Sequence, residues 1–200
     1  MTDVAVCIPT VPERADMCER TIAAYLAQSD GDDLFVEVGT ISGHTWGGGC
    51  NALIGTSILY PDYVLLACDD AVPHPGAIKA AVDFHVETGD LPGCRFLQDG
   101  EPMDPSYDAR VHGQETPWCR LFLLTPAMYQ EVGPLLDLTW FTDIDYCQRL
   151  NEHGYRIRMC DGFTFDHLDP PRTWATAGEV ERQRAVYHDA CRAANRSVLM

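Results

Sequence analysis

A chain of 200 residues, 46% hydrophobic and 22% charged, is sized for one domain with a single core and is too apolar for a disordered one. Its 30 acidic and 14 basic residues leave a net charge of -16, which argues against a surface for nucleic acids, where cationic stripes are needed, and suits divalent cations. No apolar stretch approaches the roughly 20 residues of a membrane-spanning helix, and nine cysteines with no CxxC pair, behind Met1-Thr2-Asp3 with no signal peptide, read as small buried hydrophobes in a reducing cytoplasm.

The first half alternates short β runs with helical patterns. Val4 to Ile8 is a compact strand ended by Pro9-Thr10. A helix over 13–28 follows, with Met17, Thr21, Ile22, Tyr25 and Leu26 on its inner face. Leu34 to Val38 is a second strand. Gly47-Gly48-Gly49 opens a helix with Cys50, Leu53, Ile54 and Ile58 inward. Tyr63 to Cys68 is apolar on both faces, as in the middle of a parallel sheet. The next helix begins at Pro75, in its first turn, and turns Ile78, Ala81, Val82 and His85 inward.

The second half is less regular. Residues 90–118 read as a loop with one short strand near Cys94 to Leu97, long enough to be a substrate lid. Leu121 to Leu124 is a strand. Thr125-Pro126 starts a short helix that Gly133 ends. A helix over 143–153 stops at Gly154, Arg156 to Cys160 is a strand, and 177–195 is helical. The βαβαβα order implies an α/β fold with a mostly parallel, Rossmann-like sheet flanked by helices. Ligands in such sheets bind beyond the carboxyl ends of the strands, where both Pro9-Thr10 and Cys68-Asp69-Asp70 fall.

Three segments carry chemistry. In the first, an apolar strand delivers Asp69 and Asp70 to a sheet edge, where carboxylates suit a hard cation shared with substrate phosphates; a solvated turn capping the next helix is the alternative. In the second, Asp143 and Asp145 occupy the first turn of a helix. That position favours acids in any case, and Arg149 is spaced to pair with Asp145. The third is Phe163-Thr164-Phe165-Asp166-His167, an aromatic strand carrying one histidine.

The ordered set resembles the GT-A glycosyltransferases, and within them the large family 2 of mostly inverting enzymes, over roughly residues 4–168. Ile8-Pro9-Thr10 followed by Arg14 is similar to the family's first strand and turn. Gly47-Gly48-Gly49-Cys50-Asn51 resembles its Gly-rich segment with an Asn. Cys68-Asp69-Asp70 with Pro73-His74-Pro75-Gly76 resembles its Asp-x-Asp motif and the Pro-x-Pro-Gly-like sequence after it. Thr142-Asp143-Ile144-Asp145 with Arg149, then Gly154-Tyr155-Arg156, then His167, look like the family's Glu-Asp-x-Asp, Gly-Tyr-Arg-like and metal-histidine elements.

The resemblance implies a single GT-A domain over 1–170, with a nucleotide-sugar half (1–89) and an acceptor half (90–170), followed by a C-terminal helical extension (171–200). It implies a metal-dependent glycosyltransferase using Mn²⁺ or Mg²⁺ and a nucleotide diphosphate sugar. Asp70 and His167 would hold the metal. Pro9, Thr10, Arg14, Glu37, Asn51 and Asp69 would line the donor. Asp143 would be the base, with Asp145 steadying it or the acceptor. Trp118, Arg120 and Arg149 would face the acceptor side, and His112 lies in the same loop. The acceptor is open among a glycan, a lipid-linked sugar, a protein side chain and a modified nucleobase.

Cys68 stands where the triplet's first Asp is expected, and Thr142 replaces the Glu before the base. The second strand reads Val36-Glu37-Val38-Gly39-Thr40 in place of an Asp-Asp-Gly-Ser ending. The rival readings are a nucleotidyltransferase-like enzyme, disfavoured by a first loop with one cation and no glycine, and a non-catalytic nucleotide-sugar-binding module, which the Cys68 departure favours.

Overall fold

The computed structural model describes residues 1–31, 33–57, 61–102, 121–168 and 177–196. β1 (Thr2–Thr10) runs through the core with residues 4–9 buried. Pro12–Arg14 makes a 3-10 turn into α1 (Ala15–Leu26). Cys18, Thr21 and Tyr25 are its buried stripe, whereas Leu26, expected inside, is 49% exposed; the core lies a little to one side of the face drawn from the sequence. β2 (Leu34–Ser42) lies parallel to β1 along its whole length, from Thr2 opposite Leu34 to Thr10 opposite Ser42.

α2 (Trp46–Ser57) returns the chain to β3 (Tyr63–Leu66), which is parallel to β1 and buried throughout. β7 (Phe122–Leu124) closes this sheet antiparallel to β3, giving the order β2-β1-β3-β7. Pro9 abuts Gly49 of α2, while Thr10 lies beside Cys18 of α1. Successive strand residues point to opposite faces, so α1 and α2 cover opposite sides of the sheet.

The sequence leads one to expect one sheet, but the strands divide into two. β4 (Ala71–Pro73), β5 (Leu91–Gln98), β6 (Glu101–Pro102) and β8 (Ile157–His167) form the second, in the order β4-β8-β5-β6. β5 and β8 are parallel, with a register shift between Gly93 and Arg95, and the outer pairs are antiparallel. α3 (Ala77–Thr88) packs on this sheet and buries Ala77, Ile78, Ala81 and Val82. Pro75 lies just ahead of the helix rather than in its first turn, because Gly76 at φ 78° is the N-cap. One apolar cluster spans both sheets, from Val4 and Leu65 to Phe163 and Phe165. Burying each such side chain contributes about 1.5–3 kcal/mol.

α4 (Pro126–Val132) starts on Thr125, whose hydroxyl accepts the Met128 N–H at 3.3 Å, and ends at Gly133. Such a cap is worth about 1 kcal/mol. α5 (Thr142–Glu152) follows, and α6 (Ala177–Ala193) packs against it around Leu138, Ile144, Tyr187 and Cys191. Beside the second sheet, Arg156 makes a two-pronged bond to Asp90 at 2.9 Å, and Arg158 adds a third contact at 2.8 Å. These partners, Arg156 foremost, hold the Asp90 carboxyl below its ordinary range. No helix among the described residues is long and apolar enough to cross a membrane.

Candidate active site

The segment after β3 is pinned by its backbone before its side chains are considered. The Ala67 N–H donates to Cys7 O at 2.9 Å. The Trp46 indole donates to Ala67 O at 3.0 Å, and the Thr21 hydroxyl donates to Asp69 O at 2.9 Å. Leu168 N–H donates to Asp70 O at 2.8 Å. Strands from both sheets and the helices α1 and α2 therefore fix where Asp69 and Asp70 point.

Their carboxylates gather the residues expected from the sequence. The Thr10 hydroxyl donates to Asp69 at 2.7 Å. Arg14 reaches both acids, at 2.9 Å to Asp69 and 2.7 Å to Asp70. β4 and β8 pair Ala71 with His167, which brings the His167 Nε2 to 3.6 Å from Asp70 Oδ2. Asp70 and His167 are largely shielded, with side chains 13% and 20% exposed. Burial raises the Asp69 carboxyl above its ordinary value, against the lowering pull of Thr10 and Arg14. The Tyr25 phenol is fully buried nearby, has no hydrogen-bond partner among the described residues, and is held well above its ordinary pKa by burial, with Cys68, Cys94 and Asp70 adding to the rise.

The glycine run has a steric reason. A Cβ on Gly47 would sit 1.9 Å from Leu136 O, one on Gly48 2.3 Å from Asp137 Oδ1, and one on Gly49 2.6 Å from Pro9 Cβ. The start of α2 is wedged between the end of β1 and the 136–142 segment. Gly47 N–H donates to Leu138 O at 2.9 Å, and the Thr142 hydroxyl donates to Leu138 O at 2.8 Å. Trp46, bonded to Ala67, also packs against Phe122, which meets Tyr146 of α5 edge-on. By these ties the first turn of α5 is anchored to the start of α2. Asp143 is partly buried, and its Oδ1 accepts the Ile144 N–H at 2.9 Å.

Other expected site residues lie elsewhere. Asp145 is fully buried and engages Arg149 at 2.9 Å and Arg196 at 2.7 Å, so its carboxylate is closed to an acceptor. Arg149 is likewise occupied, donating to Val132 O and lying over the Tyr146 ring at 4.7 Å. The Asn51 amide donates to Leu135 O and accepts from Leu135 N and the Tyr129 hydroxyl, each at 2.9 Å; it ties α2 to the chain after α4 instead of facing a nucleotide. Glu37 is exposed but pairs with Ala5, and the five residues from there to Thr10 span roughly 16 Å. It therefore stands at mid-strand, away from the rim. Trp118, Arg120 and His112 lie outside the described residues.

Sequence reasoning missed Trp46 as the tie to Ala67, although it directly precedes the glycine run. It also missed His74, which lies 3.0 Å from Asp166 on the exposed flank of the β4–β8 pair. For a cation, Asp70 and His167 supply one carboxylate and one imidazole at adjacent positions. That fits Mg²⁺ or Mn²⁺, which are commonly held by one or two protein ligands with substrate phosphates and water. No group of three or more His, Cys, Asp or Glu suited to a metal occurs among the described residues.

No protein-family model matches the sequence, and no curated protein matches it at a significant level. The fold, by contrast, has solved counterparts. The catalytic domain of Drosophila β1,4-galactosyltransferase 7, in complex with xylobiose, is 11% identical with a TM-score of 0.59, over 92% of this chain and 80% of that one. S. aureus TarS is 12% identical with a TM-score of 0.60, over 84% of this chain and 60% of that one. A mannosyltransferase from Pyrobaculum calidifontis, in complex with GDP-Man and Mn²⁺, is 16% identical with a TM-score of 0.64, over 98% of this chain and 65% of that one. The chain thus spans less than two thirds of the last two. It has the α/β fold of GT-A glycosyltransferases.

Proposed function

We propose that this protein is a metal-dependent glycosyltransferase that moves a sugar from a nucleotide diphosphate donor to an acceptor hydroxyl with inversion. The observation that carries the reading is the meeting of Asp70 and His167 at 3.6 Å, beside Asp69, Thr10 and Arg14, at the carboxyl end of β1 and β3. A mannosyltransferase sharing the fold was captured with GDP-Man and Mn²⁺, which supports the same donor class and cofactor.

Asp70 and His167 would hold a divalent cation, whose charge would offset that developing on the leaving diphosphate. Thr10 keeps the Asp69 carboxylate oriented toward the donor, and Arg14, already between two carboxylates, can shift one contact to a phosphate oxygen. Asp143 accepts the proton of the attacking hydroxyl on the opposite side of the sugar. A base so placed contributes about 10²–10⁴-fold, and alignment of the two substrates supplies much of the remainder. The buried Asp145–Arg149 pair stiffens the helix that presents Asp143.

A second reading, a non-catalytic nucleotide-sugar-binding module, is favoured by one observation: Arg14 already engages both carboxylates. Calorimetry with a panel of UDP- and GDP-sugars and with UTP and GTP, with and without Mn²⁺, and an assay of donor hydrolysis decide between them. A transferase binds a donor with Mn²⁺ and slowly hydrolyses it. Binding without hydrolysis or transfer points to the module, and preference for a nucleoside triphosphate overturns both.

A further inference from the structure

The turn that carries Asp143 is held from outside by α6. Phe141, the residue that opens α5, has φ 68°, a left-handed conformation that bulky side chains rarely adopt and that persists only where its surroundings enforce it. Three contacts of α6 enforce it. The Tyr187 ring stacks on Phe141, with centroids 5.6 Å apart and planes within 6°. The Arg184 guanidinium lies over the same Phe141 ring at 5.7 Å. The Gln183 Oε1 accepts both the Thr139 and the Trp140 N–H at 2.8 Å. Gln183 and Tyr187 are themselves 3% and 0% exposed, so each is fixed by its own packing.

We infer that Tyr187 and Gln183 are positioning residues for Asp143, and that α6 is a clamp which sets the angle of the base-bearing turn. This rests on the reading of Asp143 as the base. For a helix serving stability alone, apolar burial in the cluster of Cys191 with Leu138 and Ile144 would suffice, with no ring stacked on Phe141. Here the polar contacts converge on the three residues from Thr139 to Phe141, immediately before Thr142-Asp143. Misplacing a reacting group by about 1 Å can cost about 100-fold in turnover, so such a clamp acts on kcat and leaves donor binding at Asp70 and His167 alone.

The test compares Tyr187→Leu, which removes the stacked plane, with Tyr187→Phe, which keeps it. Phe141→Gly is the second variant. Glycine takes φ 68° without strain but takes other angles as readily, and it offers Tyr187 and Arg184 no ring to hold, so this variant folds with the turn before Asp143 released. Steady-state transfer or donor hydrolysis is measured with UDP-glucose and GDP-mannose, donor affinity is measured by calorimetry with Mn²⁺, and amide exchange is followed at 139–144. Tyr187→Leu and Phe141→Gly are expected to lose about 10-fold or more in kcat with unchanged donor affinity, and Tyr187→Phe to keep wild-type kcat. Exchange at 139–144 should rise about 10-fold or more in Tyr187→Leu and stay constant in β1.

Near-wild-type kcat in folded Tyr187→Leu and Phe141→Gly, with Asp143→Asn inactive, overturns the clamp and leaves the transferase reading standing. Full activity of Asp143→Asn overturns the reading of the base instead. Unchanged exchange at 139–144 overturns the clamp whatever the turnover.

Discussion

His167 Nε2 stands 3.6 Å from Asp70 Oδ2 because the β4–β8 ladder sets Ala71 opposite His167. The pair belongs to the backbone register, so removing either side chain should leave the fold intact. In Asp70→Asn and His167→Ala, Mn²⁺-supported binding of a nucleoside diphosphate is expected to weaken by about 10–100-fold or more, with little change in thermal midpoint. Calorimetry with GDP and UDP, with and without Mn²⁺, reads this directly. Equal affinity in all three proteins would remove the metal from these residues.

Asp143→Asn keeps size and hydrogen-bonding reach but cannot take a proton at neutral pH. Its kcat is expected to fall by about 10²–10⁴-fold, while donor affinity stays within about twofold. Near-normal turnover would move the base elsewhere.

Gly47 has no room for a methyl group, since its Cβ would lie 1.9 Å from a main-chain oxygen of Leu136. Gly47→Ala must push the 136–142 segment off α2 and is expected to cost at least about 1–3 kcal/mol in urea unfolding. Gly55→Ala, where nothing lies within 4 Å, is the matched control and should be neutral or stabilising. Equal destabilisation of both would mean that helix content rather than contact governs.

Asp90 sets a pH dependence. Its folded pKa lies below the ordinary 3.8, with Arg156 the leading cause and Arg158 assisting. The contribution is present above 3.8 and is lost as pH falls toward the folded value. The wild type should therefore lose stability on acidification below about pH 5 more steeply than Asp90→Asn does. Parallel curves would mean that the pair adds nothing.

Arg196→Ala leaves buried Asp145 with Arg149 alone. Stranding part of a buried charge is expected to cost about 3 kcal/mol. For a chain of this size that is about 6–12 °C in thermal midpoint. A change within about 0.5 kcal/mol would show that Arg149 suffices.

The parallel half of the fold was legible because β1, β2 and β3 are apolar runs separated by helical stripes, and the order of the chemical motifs pointed to Asp70 and His167. The division into two sheets was not, because β4 and β6 are only three and two residues long and carry no periodicity. Asp145 and Asn51 misled for a related reason. A polar residue next to a motif looks alike in sequence whether it faces a ligand or a neighbouring carbonyl, and only the fold reveals Leu135 and Arg196 as their partners. Glu37 misled because β2 continues to Ser42, past the point where the sequence ends it.

Thr10 comes from the first sheet, His167 from the second, and Asp69 and Asp70 from the crossing between them. An occupant bridging these side chains would act as a rivet across that joint. Its arrival would be felt as rigidity far from the rim, in slower parting of the two halves, and its strength could be gauged by pulling the halves apart with no turnover at all.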